Sequence, residues 1–97
     1  MELRKYELVI IFVPTLEEDG ISEELSKITS IIEKNKSKVL NTDKWGIKKL
    51  AYPIKHQENG YYVVLYFDSD GKVIPELERV SKINDKILRQ MIVKSNK

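Results

Sequence analysis

Two stretches of the chain are apolar at almost every position. Glu7–Val13 (ELVIIFV) and Tyr61–Asp68 (YYVVLYFD) are of strand length and rich in β-branched and aromatic residues. A strand apolar on both faces belongs in the middle of a sheet, so both are expected to be central strands. Pro14 ends the first. Thr15-Leu16-Glu17-Glu18 then matches a capping box, in which Thr15 accepts from the backbone and Glu18 reaches back. Ile21, Leu25, Ile28 and Ile32 recur at helical spacing, with Ile31 widening the stripe, and predict a helix running to about Lys36. Gly20 near its start is read as a break between an opening turn and the main helix, and the early acids suit the positive end of the helix dipole.

Ser37–Ile54 reads as one long extended segment. Gly46 near its middle marks a bulge or a close backbone approach, and Pro53 suits an edge strand or a strand end. His56-Gln57-Glu58-Asn59-Gly60 is read as a turn, which makes the flanking strands a hairpin. Asp68–Gly71 is a loop. Val73, Leu77 and Val80 mark a shorter helix, with Pro75 in its first turn and Ile83 near its end. Asn84-Asp85 turns the chain into a last strand, Ile87–Lys94.

The order is βαββαβ, the ferredoxin-like plan of an α+β fold: a four-stranded antiparallel sheet with two helices on one face. The other face is left open. It would carry one alternating set from each central strand, Val9 and Ile11 with Tyr62, Val64 and Tyr66. Residues 1–97 are expected to form a single domain of this kind.

Composition removes several function classes. The chain has no cysteine and one histidine, so no disulfide framework, thiolate chemistry or histidine-rich metal site is expected, and no cofactor. No apolar run approaches the ~20 residues that span a bilayer. Met1-Glu2-Leu3-Arg4 lacks the apolar stretch and cleavage site of a signal peptide, and a cytoplasmic location is expected. His56 lies in a polar turn with no serine or acid arranged around it. The pairs Glu17–Glu18 and Glu23–Glu24 read as capping and solvated helix acids. The four glycines are scattered singly, so no phosphate-cradling loop exists. An enzyme is not expected.

Net charge is only +2, but its distribution is uneven. Acids crowd Glu17–Glu24, whereas Lys44–His56 holds Lys44, Lys48, Lys49, Lys55 and His56 with no acid among them. Arg4 and Lys5, and Lys86, Arg89, Lys94 and Lys97, are basic too. Arg4, Arg89 and Lys94 lie on strands that this topology makes neighbours, and are expected to join into one patch. Lys48 and Lys49 are consecutive on a strand and must point to opposite faces, so at least one meets solvent or a partner. On the charges alone, a solvated surface and an RNA contact both stay open. Gly60–Tyr66 half-matches an RNA-recognition strand motif: Gly60, Tyr61, Val64 and Tyr66 fit, but Asn59, Tyr62 and Val63 do not. Core packing or a protein-facing surface explains that strand better than base stacking.

Several motifs in order resemble the bacterial small-subunit ribosomal protein six family. They are Arg4-Lys5-Tyr6-Glu7, Pro14 with the acidic helix start, Gly46-Ile-Lys-Lys-Leu-Ala-Tyr-Pro-Ile54, Gly60-Tyr61-Tyr62, Glu76-Leu77-Glu78-Arg79, Asn84-Asp85, and Ile87-Leu88-Arg89 through Val93-Lys94. The resemblance covers nearly the whole chain. It implies a ferredoxin-like, non-catalytic constituent of the small subunit that binds the central domain of 16S rRNA together with ribosomal protein eighteen. Carried over by position, Arg4, Lys48, Lys49, Lys55, Arg89 and Lys94 are the candidates for rRNA contact, and Leu50 and Tyr52 for the partner protein. Gln90 departs from the apolar or aromatic residue of many relatives, and the acidic tail of some members is absent. No membrane and no small-molecule substrate is implied. A small-ligand regulatory module of the same fold is the alternative reading, and a small phosphohydrolase the third; neither has the loop its chemistry requires.

Overall fold

The computed structural model describes residues 4–94. Lys97 and the Met1–Leu3 segment, both used above, lie outside them. The elements are β1 (Arg4–Phe12), α1 (Glu18–Lys34), β2 (Lys38–Ile54), β3 (Gln57–Ser69), α2 (Ile74–Ile83) and β4 (Ile87–Lys94). The sheet order is β2-β3-β1-β4 with every neighbouring pair antiparallel, which puts the two apolar strands in the centre, as their composition requires.

The register decides which set of side chains meets the helices. Leu8, Ile10 and Phe12 of β1 and Val63, Leu65 and Phe67 of β3 join Ile21, Leu25, Ile28 and Ile32 of α1 and Val73 and Leu77 in the main core. The opposite set is on the open face, where Val9 pairs with Val64, Ile11 with Tyr62 and Glu7 with Tyr66. The five residues assigned to that face from the sequence are therefore all on it.

Four local readings change. Glu17, not Thr15, is the N-cap of α1 and no side chain caps the helix; Leu16 N–H instead bonds the Val13 carbonyl at 3.2 Å, closing a turn through Pro14 and Thr15. Gly20 lies within a continuous helix rather than at a break. A Cβ there would meet Leu16 Cδ1 at 2.6 Å, so glycine lets the turn fold back on the helix. The helix stops at Lys34, because Lys36 turns to φ +58°. The hairpin turn is two residues, Lys55 and His56, with φ of +49° and +68°; Ile54 pairs with Gln57, and Gln57–Gly60 is strand. Two positive φ values are the geometry of the tight hairpin turn that matches strand twist. Extended pairing gives Gln57, Asn59 and Gly60 partners on β2, which overrides the turn-like composition of the segment.

Glu24 also departs from its reading as a solvated helix acid. It is 3% exposed, accepts hydrogen bonds from Asn84 Nδ2 at 2.7 Å and Lys27 Nζ at 3.2 Å, and lies 3.6 Å from Lys86 Nζ. Burial works against its ionisation, but the Asn84 and Lys27 hydrogen bonds and the charges of Lys27 and Lys86 outweigh it and hold the carboxyl below its ordinary value. It ties α1 to the turn that leads into β4. At the other end of the molecule Ser37 Oγ donates to Ser69 Oγ at 2.8 Å, both buried, joining the start of β2 to the end of β3.

Candidate nucleic-acid interface

The β2–β3 hairpin builds the end of the sheet that carries most of the basic candidates. Lys49 pairs with Asn59 and Ile54 with Gln57, so Leu50–Pro53 on β2 oppose Glu58 alone on β3. That excess of backbone bends the hairpin over the end of β1. Pro53 fits here because an edge strand in a bulge needs no ladder donor. As a result Leu50, 6% exposed, packs with Ile11 and Leu88, and Val13, Ile54 and Tyr62 close around them. Gly60 admits this close approach, since a Cβ on it would overlap Ile11 Cγ2.

β2 and β4 are opposite edges of the sheet, three strand spacings or roughly 14 Å apart where it is flat. The bend brings them together. Arg89 donates to the Tyr52 hydroxyl, and Lys55 Nζ donates to the Ile87 carbonyl at 3.4 Å. A register shift between Ile11 and Phe12 also bulges β4 at this point.

The six basic candidates sort by position. Lys48, Lys55 and Arg89 share the bent end, with Lys49 beside Lys48 and pointing to the other face. Lys48 Nζ lies over the Trp45 ring, 5.2 Å from its centroid. Arg4 and Lys94 are at the far end, where Arg4 pairs with Ser69 and Lys94 with Tyr6. Arg89 and Lys94 are five positions apart on β4, roughly 17 Å. The single patch expected of Arg4, Arg89 and Lys94 is therefore two sites at opposite ends of the strand. A groove of about 660 Å³ along β4 and α2 connects them; Lys55, Arg89 and Lys94 line it with Lys82 from α2 and one acid, Glu78. Lys82 escaped the sequence reading because its position on this groove depends on how α2 docks.

Charge pairing removes some of the other bases from consideration. Among the described residues Lys27, Lys44, Arg79 and Lys86 are in ion pairs, Lys44 with Glu18 at 3.3 Å and Arg79 with Glu76 at 2.8 Å. None of the six candidates is in one. Lys44, at the head of the basic run, is turned to the helix face and spent on Glu18 and Ser22. Glu18 also accepts from the Tyr61 hydroxyl at 3.2 Å; burial and that carboxylate raise the phenol above its ordinary value. Of the two residues assigned to a partner protein, Tyr52 is 55% exposed while Leu50 belongs to the chain's own core.

An unpaired basic rim on a sheet-and-helix scaffold defines a binding module of the ferredoxin-like class. Comparison with known proteins narrows the class. The family model described as Ribosomal protein S6 matches residues 5–94. The Small ribosomal subunit protein bS6 of Clostridium botulinum strain Hall is 42% identical over 91 residues, spanning 94% of this chain and 97% of the relative. That of Sulfurovum sp. strain NBC37-1 is 38% identical over 89 residues, 92% of this chain and 70% of the relative. The crystal structure of 30S ribosomal protein S6 from Thermotoga maritima superposes with a TM-score of 0.90 at 30% identity, covering 97% of this chain and 89% of that one. The chain belongs to the ribosomal protein S6 family. It is a structural, non-enzymatic protein of the small ribosomal subunit and associates with rRNA.

Proposed function

We propose that the chain binds the central domain of 16S rRNA together with ribosomal protein eighteen, as a scaffold in assembly of the subunit platform. The observation that carries this reading is the absence of ion-pair partners, among the described residues, for Arg4, Lys48, Lys49, Lys55, Arg89 and Lys94, while Lys44 at the head of the same basic run and Lys86 before β4 are neutralised by Glu18 and Glu24. An unpaired surface cation is free to replace the counterions of a phosphate. Phosphate contacts position a protein without reading sequence, so the choice of site rests on the folded RNA junction and on the partner. Tyr52, held by Arg89, offers its ring to protein eighteen, and Leu50 beneath it keeps the strand bent.

The test is binding of the purified chain to a central-domain rRNA fragment, with and without protein eighteen, across a salt series. Partner-dependent affinity that falls steeply with salt is expected. Each phosphate neutralised contributes about 0.7–0.9 to the logarithmic slope, so Lys48→Ala with Lys49→Ala should lower it by up to roughly 1.4–1.8. An unchanged affinity and slope would remove these two lysines from the interface.

A further inference from the structure

The groove along α2 and β4 has two basic walls, with Lys82 on the helix side and Arg89 and Lys94 on the strand side. The hydrophobic core does not fix the spacing between them. The buried apolar anchors of α2 are Leu77 and, at its N-cap, Val73, so both lie toward its start. The last turn, which carries Lys82, buries no apolar side chain, and Ile83 is 71% exposed. A helix end without buried contacts or caps is the part of a fold that opens first.

Polar contacts through Asn84 hold that end instead. Asn84 is the C-cap of α2 and organises the turn into β4. Its Nδ2 donates to Glu24 at 2.7 Å, its Oδ1 accepts from the Lys86 N–H at 2.9 Å, and its carbonyl accepts from the Ile87 N–H at 3.1 Å. The Lys86 carbonyl then accepts from the Val13 N–H at 2.9 Å, and the Ile87 carbonyl from Lys55. Glu24 itself is set in the middle of α1 among the core residues Ile21, Leu25 and Ile28, so its carboxylate is a fixed point. Lys27 and Lys86 also meet that carboxylate, but both side chains are more than half exposed and can turn to water. The short bond to Asn84 is the one that sets where α2 ends and β4 begins.

We propose that Glu24 and Asn84 are positioning residues of the rRNA site: by fixing the α2–β4 turn they hold Lys82 where it meets a phosphate across the groove from Arg89, without touching RNA themselves. This rests on the rRNA reading above and gives an acid a supporting part in a basic site. As a bare charge near a polyanion, Glu24 would only repel it, and its removal would tighten binding. As a positioning residue its removal weakens binding, so the two roles differ in sign.

The test is the salt slope of binding to the central-domain rRNA fragment in the presence of protein eighteen. It is measured for the natural chain, Asn84→Ala, Glu24→Ala, Glu24→Gln, Glu23→Ala and Lys82→Ala, with circular dichroism to verify folding. A variant that is merely less stable loses affinity by one factor at every salt concentration, whereas a misplaced cation lowers the slope. Asn84→Ala removes no charge, yet should lower the slope by about 0.7–0.9, one phosphate contact, and weaken binding about 5- to 8-fold at 0.1 M salt. Lys82→Ala should lower the slope equally, and combining the two should lower it no further. Glu24→Ala should match Asn84→Ala although it removes a negative charge; if it fails to fold, Asn84→Ala decides. Glu24→Gln retains an acceptor for Asn84 and should retain the slope even as it loses stability. Glu23→Ala, at the exposed acid next in sequence, should bind at least as tightly as the natural chain. Salt-dependent binding by the natural chain with an unchanged slope in Asn84→Ala overturns the positioning role and leaves the phosphate reading intact. Tighter binding by Glu24→Ala overturns it too, since the carboxylate would then act only as a charge. No RNA binding by the natural chain would defeat the functional reading, and this one with it.

Discussion

Gly60→Ala tests how the bent hairpin is built. Gly60 is a buried residue of β3 whose backbone φ is ordinary, so alanine brings no conformational strain. The cost is steric. The added methyl would overlap Ile11 Cγ2 well inside the 3.0 Å that real Cβ atoms keep, with Leu50 Cδ2 at 3.3 Å and the Phe12 carbonyl at 3.5 Å closing the other sides. Ile11 cannot rotate away easily, because it is β-branched, buried and on a central strand. Overpacking of this kind costs about 1–3 kcal/mol. For a chain of this length ~2 kcal/mol lowers Tm by roughly 8–16 °C. The measurement is thermal and urea unfolding of Gly60→Ala, Ile11→Ala and the double variant. Removing Ile11 Cγ2 opens the space the methyl needs, so the double variant should be more stable than the sum of the single costs by at least ~1 kcal/mol. Additive costs, or a Gly60→Ala change below ~0.5 kcal/mol, would show that the hairpin does not close against Ile11 as described. Gly46→Ala provides a contrast: nothing lies within 4 Å of its Cβ, so its cost of ~1–2 kcal/mol comes only from φ +87° and should be independent of Ile11.

Two further variants probe other parts of the fold. Glu24→Gln should cost ~1.5 kcal/mol at neutral pH, near the low end for hydrogen bonds to a charged group, because Lys27 and Lys86 remain 61% and 54% exposed and can rehydrate. Since the folded Glu24 pKa lies below its reference of 4.5, its contribution is present above that value and lost as pH falls through the folded pKa; urea titrations should therefore find the two proteins converging in acid, and a pH-independent difference would refute the pairing. Lys55→Asn with His56→Gly places residues tolerant of positive φ in the hairpin turn, and should raise stability by ~1–2 kcal/mol in urea unfolding while weakening rRNA binding through the lost lysine. A destabilised double variant would mean that the Lys55–Ile87 bond matters more than the backbone strain.

The sequence by itself determined the class of fold. Two strands apolar on both faces had to be central, the Ile21–Ile32 stripe had to be a helix, and a βαββαβ order leaves few ways to stack them. These are periodicities, and a period is a local property of the chain. The candidate site was legible as a list of bases, because a run from Lys44 to His56 without an acid is visible in one dimension. Only the tertiary structure decided which bases are available. Glu18 and Lys44 are 26 positions apart and pair because α1 crosses β2, whereas Lys48, four residues on, meets no acid among the described residues. The same holds for Glu24, which reads as a surface acid until Asn84, 60 positions away, comes to it. It holds for Leu50, Tyr52 and Arg89 too. They meet because an excess of backbone at Leu50–Pro53 folds one edge of the sheet toward the other, and the register of a strand is set by its partner's residues as much as by its own.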